Sequence, residues 1–118
     1  MAVHRFQPGN VQLEKFGDAE VYLKDVVDAS LSDSLDAGWG QYKKGAVVEW
    51  TLDYDEVFFV TEGAMTIRTA GKAQTAKAGE FFFITRGTPV VYQADEDVRF
   101  LYVTYPHWQE AARKAGRL

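Results

Sequence analysis

Cysteine is absent from the 118-residue chain, which excludes a disulfide, a thiolate metal site and a cysteine nucleophile. In so small a domain that absence fits a reducing compartment, and a cytoplasmic location is the expectation. Histidine is scarce: only His4 and His107 occur, near the two ends. No five like charges run together, Lys and Arg do not cluster, and the formal net charge is −4, so a nucleic-acid partner is not expected. Long apolar runs are also missing. The densest, Phe81-Phe82-Phe83-Ile84, is far too short to span a bilayer, and Met1-Ala2-Val3-His4-Arg5 lacks the apolar core of a secretory signal, so no membrane partner is expected either.

What remains is 47% hydrophobic, 14% aromatic and 25% charged residues, the balance of a folded globule. The length suits one domain, 1–118, that buries roughly two-thirds of its unfolded surface.

From residue 45 to 106 the chain reads as short runs of Val, Phe, Tyr, Thr and Ile broken by Gly, Asp and Pro, the rhythm of antiparallel strands and tight turns. The runs are 46–52, 57–61, 64–69, 74–76, 80–84, 90–94 and 98–105, and their even spacing predicts an all-β sandwich or barrel. Upstream, alternation over 20–27 predicts one more strand at a sheet edge, and the Ser- and Asp-rich stretch 28–36 reads as a loop. Downstream, Pro106 suits an early helical position, residues 110–115 favour helix and Gly116 ends it, so a short C-terminal helix is expected. The expected division is an N-terminal strand and loop extension, 1–37, a barrel, 38–106, and the terminal helix, 107–118.

The segment Glu56-Val57-Phe58-Phe59-Val60-Thr61-Glu62-Gly63 resembles the second half of the first cupin motif, a Glu followed six residues later by a turn Gly. The segment Gly79-Glu80-Phe81-Phe82-Phe83-Ile84-Thr85-Arg86-Gly87 echoes the second motif. The resemblance implies a double-stranded β-helix, the cupin or jelly-roll barrel. Metal-binding cupins place His-x-His ahead of that Glu and a further His after the second motif, and Trp50, Leu52 and Val90 stand at those positions here. Only Glu56 among the four could coordinate, and one carboxylate does not hold a transition metal tightly, so no metal and no cofactor are expected. A one-residue shift would bring Glu49 and Thr51 into the ligand positions, but alternation favours Trp50 and Leu52 as the inward pair. His4 and His107 lie outside both motifs and read as surface residues.

The strings Trp50-Thr51-Leu52, Tyr54-Asp55-Glu56 and Arg99-Phe100-Leu101-Tyr102-Val103-Thr104-Tyr105-Pro106 are similar to the cupin domain of the ethanolamine-utilisation family EutQ, over about residues 38–108. That resemblance implies a role in ethanolamine catabolism. Acetate kinase activity is attributed to the family, whereas this chain shows no Gly-x4-Gly-Lys-Ser/Thr loop and no other phosphate-cradling pattern.

Placed inside a barrel beside Trp50, Leu52, Phe58 and Val90, Glu56 is expected to lose solvation, which raises its pKa and suits it to general acid or base work. The other reading is a carboxyl tied by Tyr or backbone donors, and the residues do not choose between the two. Counting back across Asp95-Glu96-Asp97 pairs Tyr92 with Phe100 and Val90 with Tyr102, all facing inward with Thr104. The expected catalytic set is Glu56, Tyr54, Tyr92 and Tyr102. Trp50, Leu52, Phe58, Val90, Phe100 and Thr104 are expected to bind a small molecule or to fill the barrel as core. Asp53 and Asp55 read as solvated turn residues. On the outer face, Val57, Phe59, Thr61, Phe81 and Phe83 form an apolar surface that predicts a sheet-to-sheet homodimer, with Trp39 and Trp108 at the interface or the barrel ends.

Three functions remain open: metal-independent chemistry at Glu56 in the catabolism of ethanolamine or a related small molecule, a non-catalytic metabolite-binding module, and an assembly partner with a filled barrel.

Overall fold

In a strand, successive side chains point to opposite faces, and here that alternation is written directly into burial. Along Asp55–Glu62, the residues Glu56, Phe58 and Val60 are buried while Val57 and Phe59 between them are only half-buried. The same rhythm runs through Val98–Tyr105, with Val98, Phe100, Tyr102 and Thr104 inside.

A computed structural model describes all residues 1–118. Ten strands follow in chain order: β1 (Glu14–Lys15), β2 (Val21–Val27), β3 (Asp36–Tyr42), β4 (Val47–Thr51), β5 (Asp55–Glu62), β6 (Ala64–Thr69), β7 (Lys72–Lys77), β8 (Phe81–Ile84), β9 (Pro89–Gln93) and β10 (Val98–Tyr105). Helix α1 (Trp108–Lys114) closes the chain, and a single 3-10 turn, Pro8–Asn10, precedes β1. The strands form a six-stranded sheet in the order β1-β2-β3-β10-β5-β8 and a four-stranded sheet in the order β4-β9-β6-β7, antiparallel throughout. Every strand read from sequence between residues 46 and 105 is present, and two strands, β6 and β10, coincide with the expectation at both ends.

Three expectations need correction. The loop expected over 28–36 ends earlier: β3 starts at Asp36 and pairs with β10 along its length and with β2 from Ala37 to Tyr42. Its two interior glycines lower strand propensity, yet they are required: a Cβ at Gly40 would fall on the Phe100 ring and one at Gly38 on the Tyr102 hydroxyl. Residues before 38 are therefore part of the sheet, with β2 one strand in from the edge. Second, Tyr92 does not pair with Phe100, nor Val90 with Tyr102. The chain changes sheets across Asp95-Glu96-Asp97, so that β9 pairs with β4 and β6 while β10 pairs with β3 and β5. All four residues still face the interior. Third, the helix starts at Trp108 and leaves Pro106 outside, because the Asp36 carboxylate accepts the Trp108 backbone N–H at 3.0 Å and caps the helix from β3.

The interior is aromatic. Phe58 and Phe100 stack at 4.0 Å with 17° between their planes, and Tyr92 from the other sheet stacks on Phe58 at 5.9 Å. Burying each such ring contributes about 2–3 kcal/mol.

Candidate ligand-binding cavity

The two sheets do not close completely on each other. Between them lies a cavity of about 50 Å³, enough for roughly three to five waters or a molecule of a few heavy atoms. Its inner wall is Tyr42, Tyr54, Glu56, Phe58, Tyr92, Phe100 and Tyr102, all buried. Its rim is the half-buried Phe16, Leu23, Val48 and Trp50, roofed by the buried Trp108.

Glu56 is the only charged residue of the lining, and it is 8% exposed. Tyr92 donates its hydroxyl to Glu56 Oε1 at 2.8 Å. Burial disfavours the carboxylate and pushes its pKa up to about 7, against the smaller opposing effect of the Tyr92 hydrogen bond. The tyrosines respond in kind. Burial first, and the Glu56 charge second, hold Tyr42, Tyr54 and Tyr92 well above the ordinary phenol value; for Tyr102 burial is followed by Asp25. All four stay neutral at physiological pH.

The hydroxyls are differently engaged. Tyr54 accepts from Trp50 Nε1 at 2.9 Å and keeps its own proton free to donate. Tyr102 donates to Asp25 Oδ1, so its hydroxyl points to β2. The same Asp25 carboxylate accepts Trp108 Nε1 at 2.9 Å and Gln109 Nε2 at 3.0 Å. Asp25 thus ties the roof to the sheet, and Asp36 reinforces it by accepting His107 Nδ1 at 2.6 Å.

Of the residues expected at the site, the structure brings together Glu56, Tyr54, Tyr92, Tyr102, Trp50, Phe58 and Phe100. Leu52, Val90 and Thr104 are buried in the core and do not line the cavity. Two surface assignments are corrected. His107 is half-buried in its pair with buried Asp36, and Asp53 is held by Arg117 at 2.7 Å with its side chain 18% exposed. Asp55 accepts the Arg86 backbone N–H at 2.8 Å. Trp108 belongs to the barrel end, whereas Trp39 lies on the outer side of β3. Phe16, Leu23, Tyr42, Val48 and Asp25 also belong to the site, outside the expected set. Alternation along the strands carries a signal for Leu23, Tyr42 and Val48; nothing local signals Phe16 or Asp25.

Two facing antiparallel sheets in these orders, around such a cavity, match the barrel of solved cupins. A cupin of the RmlC-like type from Shewanella frigidimarina superposes with a TM-score of 0.74 over 89% of this chain and 92% of its own, at 17% identity, which speaks for the fold alone. The sequence is more specific: residues 9–110 match the family described as ethanolamine utilisation protein EutQ, and this chain belongs to that family. Acetate kinase EutQ of Escherichia coli K12 is 38% identical over 104 residues, 85% of this chain and 44% of the relative. The structure of a putative ethanolamine utilization protein Q from Salmonella typhimurium LT2 superposes with a TM-score of 0.79, at 37% identity over 85% of this chain and 83% of that one. The chain spans about half the length of the curated relatives it matches.

Cupins commonly hold a metal, and the donors here do not fit one. Around Glu56 the polar groups are phenols that burial keeps protonated, and Trp50, Leu52 and Val90 supply no donor. No three His, Asp or Glu side chains converge anywhere in the chain.

Proposed function

We propose that this EutQ-family cupin serves the catabolism of ethanolamine or a related small molecule, and that its barrel cavity receives a small organic ligand with Glu56 as the working acid or base. The observation that carries the reading is one carboxyl group, buried in an aromatic cavity, whose pKa is brought to about 7. A group poised there exchanges a proton readily at neutral pH. Tyr92 fixes the carboxyl and Tyr54 offers a donor, while Trp50, Phe58 and Phe100 wall the ligand. Tyr102, committed to Asp25, acts by holding the roof.

The relatives are acetate kinases, and the chain matches about half of their length. The cavity contains no Lys or Arg to neutralise a phosphate, which weighs against phosphoryl transfer inside it. The test compares wild type and Glu56→Gln for ATP-dependent acetate phosphorylation and for turnover of ethanolamine-derived small molecules. Turnover that disappears in the folded variant supports acid–base chemistry at Glu56; turnover unchanged in the variant rejects it.

The small volume of the cavity favours a second reading, a binding module without turnover. Ligand binding with no detectable product over long incubation would select it.

We propose further that the protein is a cytoplasmic homodimer. On the outer face of the six-stranded sheet, register aligns Trp39, Leu101, Phe59 and Phe81 in one row and Ala37, Val103, Val57 and Phe83 in the next. Phe81 and Phe83 are 60% and 61% exposed, an apolar surface that a second copy would cover.

A further inference from the structure

At the mouth of the cavity three rings stand nearly perpendicular to one another. Phe16 meets Trp108 at 5.4 Å and 76°, Phe16 meets Trp50 at 5.9 Å and 84°, and Trp50 meets Trp108 at 6.5 Å and 75°. They form the corner of a box rather than a stack. Nine of the twelve lining residues are aromatic, the only charge is the Glu56 carboxylate, and no Lys, Arg or His faces the space. Such a site repels anions and offers a cation what water would otherwise provide: the negative faces of rings and one counter-charge. Cations over aromatic rings gain about 0.5–2 kcal/mol per site, most where water is excluded.

We propose that this cavity takes a small organic ammonium ion of about four heavy atoms, seated in the corner of Phe16, Trp50 and Trp108 with Glu56 as its counter-ion. The size limit follows from the cavity of about 50 Å³. The inference rests on the small-ligand reading given above and adds the ligand's charge.

Charge sets the pH dependence. The titratable groups facing Glu56 are Tyr42 on β3, Tyr54 in the turn before β5, Tyr92 on β9 and Tyr102 on β10, with Asp25 of β2 behind Tyr102. The four phenols stay neutral. Glu56, with its pKa near 7, is therefore the group that switches the cavity between neutral and anionic. A cation binds the anionic form, so its affinity rises with pH. A carboxylate ligand needs the protonated form, so its affinity falls.

The experiment is a titration followed by the indole N–H signals in nitrogen-15 correlated spectra. Trp50 and Trp108 line the cavity, and Trp39, on the outer face, is the internal control. The probes are ethanolamine, its neutral isostere 1-propanol, and acetate. Ethanolamine is expected to move the Trp50 and Trp108 signals but not Trp39, and to bind about tenfold tighter at about pH 8 than at about pH 6. Glu56→Gln is expected to weaken it at least about tenfold at the higher pH and to flatten the profile. A wild-type affinity for ethanolamine independent of pH, or 1-propanol or acetate binding as tightly, overturns the ammonium assignment and leaves the small-ligand cavity standing. No shift at Trp50 or Trp108 with any of the three probes overturns both.

Discussion

Tyr92 and Glu56 join the two sheets at the centre of the barrel. The phenol comes from β9 of the four-stranded sheet, the carboxyl from β5 of the six-stranded sheet, and they meet at 2.8 Å with no other charged group in the cavity. A hydrogen bond to a carboxylate favours its ionised form, but here burial outweighs it. The net result is a carboxyl group that the fold prefers to keep protonated.

That preference fixes a pH dependence of stability. The folded pKa of Glu56, about 7, lies above its unfolded value of 4.5, so the folded state holds the extra proton in between. The contribution is fully present below about pH 4.5 and is lost as pH rises through about 7, a loss of roughly 3 kcal/mol in all. Glu56→Gln keeps an oxygen for the Tyr92 hydroxyl and removes the ionisation. Urea unfolding between about pH 4.5 and 8 should show the wild type losing stability more steeply than the variant. Parallel curves would mean that Glu56 ionises in the folded state as easily as in the unfolded one.

A second carboxylate controls the roof. Asp36 is buried and accepts both His107 Nδ1 and the first helical N–H, while burial pushes its own pKa up. Its hydrogen bond to His107 raises the histidine's pKa above 6.5. The stability this gives is therefore fully present below about pH 6.5 and lost as pH rises through the raised value. Asp36→Asn retains an acceptor for the helix but not the charge. The His107 pKa, followed by NMR, should fall back toward its ordinary value in that variant, and the fold should lose about 1–3 kcal/mol. An unmoved His107 pKa would dissociate the two residues.

The central strands were legible because β-branched and aromatic residues alternate between turn residues from Val47 to Tyr105. Glu56 and its aromatic neighbours were legible by the same alternation. What was not legible depends on distance in sequence. Asp25 and Asp36 meet their partners 71 to 84 residues away, and no local pattern marks such a pair. The turn Asp95-Glu96-Asp97 misled for a related reason: turn chemistry shows that the chain reverses, not whether the strands on either side share a sheet.

Gly40 lowers the strand propensity of β3 and offers a test of its packing. Its missing side chain is space that the Phe100 ring occupies. Gly40→Ala must push that ring away, and Phe100 stacks on Phe58 on one side and borders the cavity on the other. Overpacking of this kind costs about 1–3 kcal/mol, and thermal melting should report it. The displaced ring should also shrink the cavity, so ligand-induced shifts at Trp50 should diminish together with stability. A variant as stable as wild type would show that β10 yields freely at Phe100.

The outer face supplies the last test. Phe81 and Phe83 sit on β8, the free edge of the six-stranded sheet, with side chains more than half exposed and no role in the core. A lysine at each position leaves the interior row of Phe82 and Ile84 untouched, so the fold should survive with stability changed by less than about 0.5 kcal/mol. In a dimer that buries this face, the same two substitutions place four like charges in one apolar interface, and unpaired charges there are strongly unfavourable. The expected outcome of light scattering during size-exclusion chromatography is a dimer for the wild type and a monomer for Phe81→Lys with Phe83→Lys, both with the same far-ultraviolet circular dichroism. A variant that remains dimeric would move the interface away from this face, toward the β4 or β7 edge of the smaller sheet, where Glu49, Lys72 and Lys77 would have to be accommodated.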